Sequence, residues 1–354
     1  MAVKITPVNG CAFLCFPGMA NLLVYELSTR FNYTVEQTSS SFTDNTFYSN
    51  RALFYGDVLF CPDFNINEKG KPYWAKDVFI SPFLLEFNSI GEGAGALKNI
   101  QRNWAPCHYQ LFRRGALIQE KLPYLNLGTK NFFKTLPSGK KEFNLKIPSS
   151  PMGIYTLINP GLILASAETS SALPCGNITF QEDHENPPSR AYLKIQESLT
   201  LFNHFFGESV PSDGDKCFEA GACPGGWTWV LKNLGASILA VDRAELSPEL
   251  MRDSQIQFMA HDAFTLKPEE VCTFMKAEKI QWVFSDVICY PERLLQWVKL
   301  WIESKRTKNI IATIKMQGET DWNIIAEFEK IPGSRVVHLN YNKHELTFMY
   351  HSNG

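Results

Sequence analysis

The sequence lacks the features of a membrane protein, a small disulfide-bonded protein or a metal-bound one. None of its apolar runs approaches the roughly 18–20 residues of a transmembrane helix, and residues 1–20 carry one Lys and a broken apolar run, unlike a secretory signal. Its nine cysteines form no C-x-x-C pair, and no His stands at zinc-finger spacing from two of them. We therefore expect no membrane contact and no metal site, and scattered cysteines in odd number are typical of the reducing cytoplasm.

The charges that are present are distributed unevenly. The chain of 354 residues is long enough for two or three domains, and its net charge is only −2. Residues 98–146 nevertheless hold ten basic and two acidic residues, a net charge of +8, whereas residues 187–354 have a net charge of −3. Aromatic residues are interleaved with the basic ones, which indicates a phosphate-backbone partner. The alternative is a solvated charged face on an ordinary domain.

The part of the chain after about residue 187 alternates short apolar strands with helices. We predict strands at 216–220, 237–241, 256–259, 280–285 and 309–315, with helices at 189–206, 227–234, 268–277 and 291–305. This alternation requires right-handed crossovers and predicts a parallel sheet covered on both faces. Segments 335–339 and 345–350 should close the fold as a hairpin, which would put an antiparallel strand at the far edge of a doubly wound α/β sheet.

The first half of the chain lacks this rhythm. A strand at 11–16 and a helix at 17–31 suit a small α+β module, and the middle of the chain is basic and rich in glycine. A polar, proline-bearing connector at 181–189 is the predicted main boundary.

The most informative motif is the glycine-rich turn EAGACPGGWTW at residues 219–229, between a predicted strand and a predicted helix. Such a turn brings backbone N–H groups and a helix N-terminus close to a ligand. Asp242 ends the next strand, where a carboxylate can bind ribose hydroxyls, and Asp262 follows the third strand, within reach of an adenine edge. The spacing G-A-C-P-G-G differs from the nicotinamide pattern G-x-G-x-x-G. Each acidic residue alone could be a helix cap, but the ordered set favours S-adenosylmethionine.

The segments PSRAYLKIQE, EAGACPGGWTW, AVD, HDAF, FSDV, IKMQ and HELTF resemble the FtsJ-like ribose 2′-O-methyltransferases, in particular the RlmM type that modifies a cytidine of bacterial large-subunit ribosomal RNA. The resemblance covers the C-terminal half well and the N-terminal half loosely. It implies a Rossmann-like methyltransferase domain at 187–354, a ferredoxin-like module at 1–68 and a THUMP-like RNA-binding domain at 69–180.

The resemblance also implies roles for individual residues. The family's catalytic Lys-Asp-Lys-Glu set falls on Lys194, Asp286, Lys315 and Glu345, with Lys315 as the general base. A ribose hydroxyl is a weak nucleophile, so it needs both a base and accurate alignment. The implied cofactor contacts are Ser189, Glu219, Gly221, Cys223, Pro224, Gly225, Gly226, Trp227, Asp242, Asp262 and Asp286. One departure is that Glu219-Ala220 replaces the family's usual Asp-Leu, so a longer carboxylate would have to accept the methionine amine.

These observations predict an S-adenosylmethionine-dependent RNA 2′-O-methyltransferase, with large-subunit ribosomal RNA (23S) as the expected partner. Two alternatives remain open: an RNA-binding protein with an inactive methyltransferase domain, and a methyltransferase for another substrate. A nicotinamide-linked oxidoreductase is disfavoured by the glycine spacing. The target nucleotide and the oligomeric state are not indicated.

Overall fold

The structure, a computed structural model, describes residues 3–35, 47 and 51–352. The chain divides into two compact units. The first comprises Met1–Gly128 and Ile147–Thr179, and the second comprises Thr129–Lys146 and Phe180–Gly354. None of the helices among the described residues is long and apolar enough to span a membrane.

The regular elements are numbered in chain order. The strands are β1 (Lys4–Pro7), β2 (Cys11–Cys15), β3 (Leu53–Tyr55), β4 (Val58–Cys61), β5 (Ala75–Phe79), β6 (Phe83–Glu86), β7 (Trp104–Pro106), β8 (Phe133–Thr135), β9 (Lys141–Phe143), β10 (Gly153–Asn159), β11 (Leu162–Ser166), β12 (Lys216–Ala220), β13 (Ser237–Asp242), β14 (Ile256–Ala260), β15 (Ile280–Ser285), β16 (Thr307–Lys315), β17 (Ser334–Val337) and β18 (Glu345–His351). The α-helices are α1 (Ala20–Arg30), α2 (Ile66–Lys69), α3 (Ile90–Ile100), α4 (Phe112–Gln119), α5 (Tyr192–Phe206), α6 (Gly226–Asn233), α7 (Pro248–Met251), α8 (Pro268–Phe274), α9 (Pro291–Glu303) and α10 (Trp322–Glu329).

The first unit contains two sheets. One has the strand order β3-β4-β2-β5, and the other has the order β1-β6-β11-β10-β7. Strand β2 pairs with β5, and β1 pairs with β6, so both sheets join strands from either side of the predicted boundary at residue 68. The assignment of these residues to a ferredoxin-like module and a THUMP-like domain stays a prediction.

The second unit is built on a seven-stranded sheet of order β14-β13-β12-β15-β16-β18-β17. The pairs from β14 to β16 are parallel, and their residues are mostly buried because helices cover both faces. The doubly wound sheet predicted from the alternation is confirmed. Strand order reverses between β12 and β15, and ligands of open α/β sheets bind at the carboxyl ends of strands at such a switch point.

The predicted position of the antiparallel strand is wrong. Segments β17 and β18 pair as a hairpin, as expected, but β18 is the strand that pairs antiparallel with β16, and β17 forms the edge. The antiparallel strand therefore lies second from the edge, and its first residue, Glu345, stands directly opposite Lys315.

Part of the basic stretch belongs to the second unit. Residues 129–146 contain the two-stranded sheet β8–β9, in which Phe133 packs edge-on against Trp229 with ring centroids 5.8 Å apart. The Lys141 ammonium lies 5.3 Å from the centroid of the same Trp229 ring. Trp229 is in α6, so this basic hairpin is attached to the helix that follows the glycine-rich turn.

Candidate functional site

The glycine-rich turn starts where β12 ends at the switch point. Gly221 has φ +79°, and a Cβ on it would lie 2.8 Å from Val287 Cγ2 and 3.0 Å from the Val287 backbone nitrogen. Its N–H donates to the Val241 carbonyl at 2.9 Å. Position 221 therefore requires glycine both for its backbone conformation and for the close approach of the loop that follows β15.

Asp242 ties the turn to the second strand of the sheet. Its Oδ2 accepts a hydrogen bond from Cys223 N at 3.0 Å, and its Oδ1 accepts one from Ala244 N at 3.1 Å. The carboxylate is thus fixed at the carboxyl end of β13, the place where sheets of this type bind ribose hydroxyls. Burial and the Asp242 charge raise the pKa of the Cys223 thiol, so this cysteine is a poor nucleophile at neutral pH.

Asp262 makes contacts with three other residues of the protein. It caps the short 3-10 turn Ala263–Thr265 by accepting from Phe264 N at 3.1 Å, and its Oδ2 lies 3.2 Å from an Arg243 nitrogen and 3.3 Å from an Arg293 nitrogen. Partial burial would raise the pKa of Asp262, but these contacts hold it below the ordinary value. An adenine amino group binding here would share the carboxylate with two guanidinium groups.

The four residues of the predicted catalytic set lie together. Lys194 Nζ is 2.6 Å from Glu345 Oε1 and 3.4 Å from Asp286 Oδ1. Lys315 Nζ is 3.0 Å from Asp286 Oδ1 and donates to the Asp286 carbonyl at 2.6 Å. The four side chains are between 11% and 22% exposed. The result is a chain of alternating charges, Glu345, Lys194, Asp286 and Lys315.

The fold explains why these four residues meet. Asp286 and Lys315 stand at the carboxyl ends of the adjacent parallel strands β15 and β16. The β16–β18 register places Glu345 opposite Lys315, and Lys194 extends from the first turn of α5. Asp286 bridges the two lysines and Glu345 pairs with Lys194, so each charge has a partner where a single partly buried charge would be costly.

Glu219 lies under the turn. It is 2% exposed, and its Oε2 accepts a hydrogen bond from Thr228 Oγ1 at 2.7 Å. Burial raises its pKa to about 8, against the effect of the Thr228 hydrogen bond. At neutral pH Glu219 is therefore a neutral acid, whereas the sequence predicts an ionised carboxylate at this position that accepts the methionine amine.

Two further predicted residues carry buried polar atoms that have no partner. Ser189 Oγ and Trp227 Nε1 are enclosed, and neither makes a hydrogen bond to a protein group among the described residues. Ser189 Oγ is close to Gly226, where an added Cβ would come within 2.5 Å of it. Buried polar groups are normally paired, so an unpaired hydroxyl beside a glycine turn marks a place where a bound ligand could accept its hydrogen bond.

A cleft of about 530 Å³ opens at this edge of the sheet. The predicted site residues that line it are Gly221, Cys223, Asp242, Asp262, Asp286 and Lys315. The remaining predicted residues, Lys194, Glu345, Ser189, Glu219, Pro224, Gly225, Gly226 and Trp227, are not among its lining residues. Sequence reasoning missed Val241, Arg243, His261, Ala263, Val287, Ile288 and Arg293. Each of these except Ile288 and Arg293 is the direct neighbour of a predicted residue, and that adjacency was the only available signal.

Comparisons with known proteins bear on the same region. Residues 187–317 match the model of the FtsJ-like methyltransferase family. Ribosomal RNA large subunit methyltransferase M of Hahella chejuensis is 32% identical over 158 residues, covering 44% of this chain and 38% of that protein. The protein of the same name from Alkalilimnicola ehrlichii is 26% identical over 170 residues, covering 46% of this chain and 45% of that protein. The chain thus spans less than half the length of these relatives. The predicted resemblance to FtsJ-like and RlmM-type methyltransferases is confirmed for the C-terminal part.

Among solved structures, the fibrillarin pre-rRNA processing protein of Methanococcus jannaschii has a TM-score of 0.30 at 20% identity, covering 42% of this chain and 70% of that one. The fold assignment rests on the strand order and on the family match. Together these give the second unit the Rossmann-like methyltransferase fold.

Proposed function

We propose that the protein transfers a methyl group from S-adenosylmethionine to a ribose 2′-hydroxyl of RNA. The observation that carries this proposal is the convergence of Lys194, Asp286, Lys315 and Glu345 beside a cleft that also contains Asp242. The matched family and the names of the relatives support the same reaction.

The cleft fits the cofactor in size and in chemistry. Its volume of about 530 Å³ falls within the ~300–1,000 Å³ usual for small-molecule sites. Asp242 would hold the ribose of the cofactor, and the turn at Gly221 would let the backbone approach the methionine part. When bound, the cofactor supplies an electrophilic methyl group on a positively charged sulfur.

Lys315 has the position of a general base. In its neutral form, its amine can accept the proton of the ribose hydroxyl while the oxygen forms its bond to the methyl carbon and the carbon–sulfur bond breaks. The proton remains on Lys315 Nζ. Asp286 holds that nitrogen through its carboxylate and its carbonyl, and Lys194 with Glu345 fixes Asp286 from the other side. Such fixed geometry is what an aligned displacement at the methyl carbon needs.

The names of the relatives, together with the +8 charge of residues 98–146, support large-subunit ribosomal RNA as the substrate. We propose a cytidine of 23S ribosomal RNA as the target, which would place the reaction in the cytoplasm. The structure of the second unit attaches lysines of that basic stretch to the unit that holds the cleft.

Substitution of the proposed base tests the mechanism. Lys315→Ala should lower the rate of methyl transfer about 100-fold or more, because a positioned base typically contributes 10²–10⁴-fold. Cofactor affinity should change little. The measurement is transfer of labelled methyl from S-adenosylmethionine to ribosomal RNA from cells that lack the protein, with cofactor affinity followed by calorimetry. Lys330→Ala, which changes a lysine that is 70% exposed, is the matched control.

The outcomes separate the alternatives. Transfer that persists in Lys315→Ala would remove this lysine from the mechanism. Cofactor binding without transfer to RNA by the unmodified protein would point to another substrate. Absence of cofactor binding would favour an RNA-binding protein with an inactive domain.

A further inference from the structure

The loop between β15 and α9 carries two large exposed side chains, Ile288 at the cleft and Tyr290 two residues further along. Ile288 is 77% exposed and lines the cleft, and Tyr290 is 62% exposed. Cys289 between them is 7% exposed, so the loop is anchored in the protein at its centre. Single exposed apolar residues are common on proteins, but two large ones flanking a buried anchor beside a reactive site indicate a contact surface.

The loop is attached to the protein at both ends. It begins at Asp286, whose N–H donates to the Ala220 carbonyl at 3.1 Å, and it ends at Tyr290, the N-cap of α9. The Tyr290 carbonyl accepts hydrogen bonds from Arg293 N at 3.1 Å and Leu294 N at 3.2 Å. A side chain on such a fixed backbone can contact a ligand with little loss of conformational entropy.

Arg293 supplies a positive group at the same rim. Arg293 lines the cleft one turn after Tyr290, and its side chain is 52% exposed. Its guanidinium lies 5.3 Å from the centroid of Phe264, which stacks on Trp297 at 4.8 Å. Its contact with Asp262 uses one N–H, and an arginine has five. A positive group is thus held in place next to the apolar pair.

From these observations we propose that Ile288 and Tyr290 form the surface that receives the base of the target nucleoside, which would have to be unpaired. This inference rests on the proposed function. A ribose hydroxyl at Lys315 brings its attached base to the same rim, since Asp286, which pairs with Lys315, begins the loop. Nucleobases bind aromatic and apolar side chains through their faces, and Arg293 offers a cation for the neighbouring phosphate.

Steady-state methylation kinetics provide the first test, with ribosomal RNA from cells that lack the protein as the substrate. Stacking of a base on an aromatic side chain contributes enough that Tyr290→Ala combined with Ile288→Ser should raise KM for RNA roughly 10- to 100-fold. We expect a smaller change in kcat. The single variant Tyr290→Ala should keep its calorimetric affinity for S-adenosylmethionine, because Tyr290 does not line the cleft. Tyr290→Phe, which keeps the ring, should restore most of the affinity lost in Tyr290→Ala. The matched control is Phe274→Ala, because Phe274 is 46% exposed and does not line the cleft.

A binding measurement tests the same surface without turnover. The probe is a short single-stranded RNA containing 2-aminopurine, whose fluorescence falls when it stacks on an aromatic ring. The unmodified protein should quench this fluorescence, and Tyr290→Ala should quench it less. Equal quenching by the two proteins, or unchanged RNA kinetics in the double variant, would overturn the inference and leave the proposed function intact. A changed sedimentation coefficient of the double variant, with unchanged RNA kinetics, would assign the patch to self-association and would also overturn it. Absence of methyl transfer by the unmodified protein would count against the proposed function. In that case the quenching measurement alone would test whether Ile288 and Tyr290 bind a base.

Discussion

Replacement of Glu219 by Gln should stabilise the protein at neutral pH and remove part of its pH dependence. Burial raises the pKa of this carboxyl from 4.5 to about 8 in the folded protein. Between these two values the folded state binds a proton that the unfolded state releases. The unfolding free energy therefore falls as pH rises from about 4.5 to 8, and the contribution is fully present only below 4.5.

The size of the effect follows from the shift. Each pH unit inside this window changes the unfolding free energy by about 1.4 kcal/mol for one group. At pH 7 the cost of keeping Glu219 protonated is therefore about 3 kcal/mol. Glutamine has nearly the shape of the protonated acid, and its amide oxygen can accept the hydrogen bond that Thr228 donates at 2.7 Å. We expect Glu219→Gln to be about 3 kcal/mol more stable than the unmodified protein at pH 7 and nearly equal to it at about pH 4.5.

The assay is denaturant unfolding without cofactor, followed by circular dichroism at several pH values across this window. The difference between the two proteins isolates Glu219, because groups such as Asp77, whose pKa burial raises to about 6, titrate in both. Glu303→Gln, a change at an exposed carboxylate, is the control. Parallel curves of unfolding free energy against pH for Glu219→Gln and the unmodified protein would refute the reasoning. They would mean that Glu219 holds no extra proton in the folded state.

Two other perturbations test the turn and the basic hairpin. Gly221→Ala should lower the unfolding free energy by about 1–3 kcal/mol and weaken cofactor binding, because φ is +79° and the new Cβ would meet Val287. Denaturant unfolding measures the first effect, and calorimetry measures the second. Gly207→Ala, also at positive φ but with open space around it, should cost only about 1 kcal/mol, and equal losses at the two sites would contradict the steric argument. RNA affinity should fall with salt, and Lys134→Gln, which changes an exposed lysine of the hairpin, should reduce the slope of log affinity against log salt by about 0.7. An unchanged slope in filter binding would remove Lys134 from the phosphate contacts.

Much of the second unit could be predicted from its sequence because its strands are buried on both faces. The predicted limits of β12 and β15 agree with the structure, since each strand is short and ends at a marked position, β12 at the glycine-rich turn and β15 at Asp286. Asp286 and Lys315 could be placed at one edge because parallel strands present their carboxyl ends together. Helix α10 was missed: it has only eight residues, and of these only Ile325 and Phe328 are buried.

The rim of the cleft could not be predicted because it depends on pairings between distant segments. Arg243 and Arg293 are 50 positions apart, and both meet Asp262 through the order of strands and the start of α9. Taken singly, an arginine after a strand and an arginine in a first helical turn are ordinary surface residues. Both arginines lie at the site because they contact the Asp262 carboxylate, and no local sequence pattern predicts this contact.

The position of β18 depends on tertiary packing and does not follow from local sequence patterns. Both strands of the terminal hairpin read as apolar segments, so alternation alone does not say which of them pairs with β16. The burial of the two strands distinguishes them. Six of the seven residues in β18 are buried, whereas β17 begins with the partly exposed Ser334 and the exposed Arg335, which suit an edge strand. The choice has a chemical consequence, because neighbouring strands lie about 4.8 Å apart. With β17 next to β16, Glu345 would stand one strand further from Lys315, and Lys194 would lose its partner at 2.6 Å. The inner place of β18 is therefore a condition for the four-residue set.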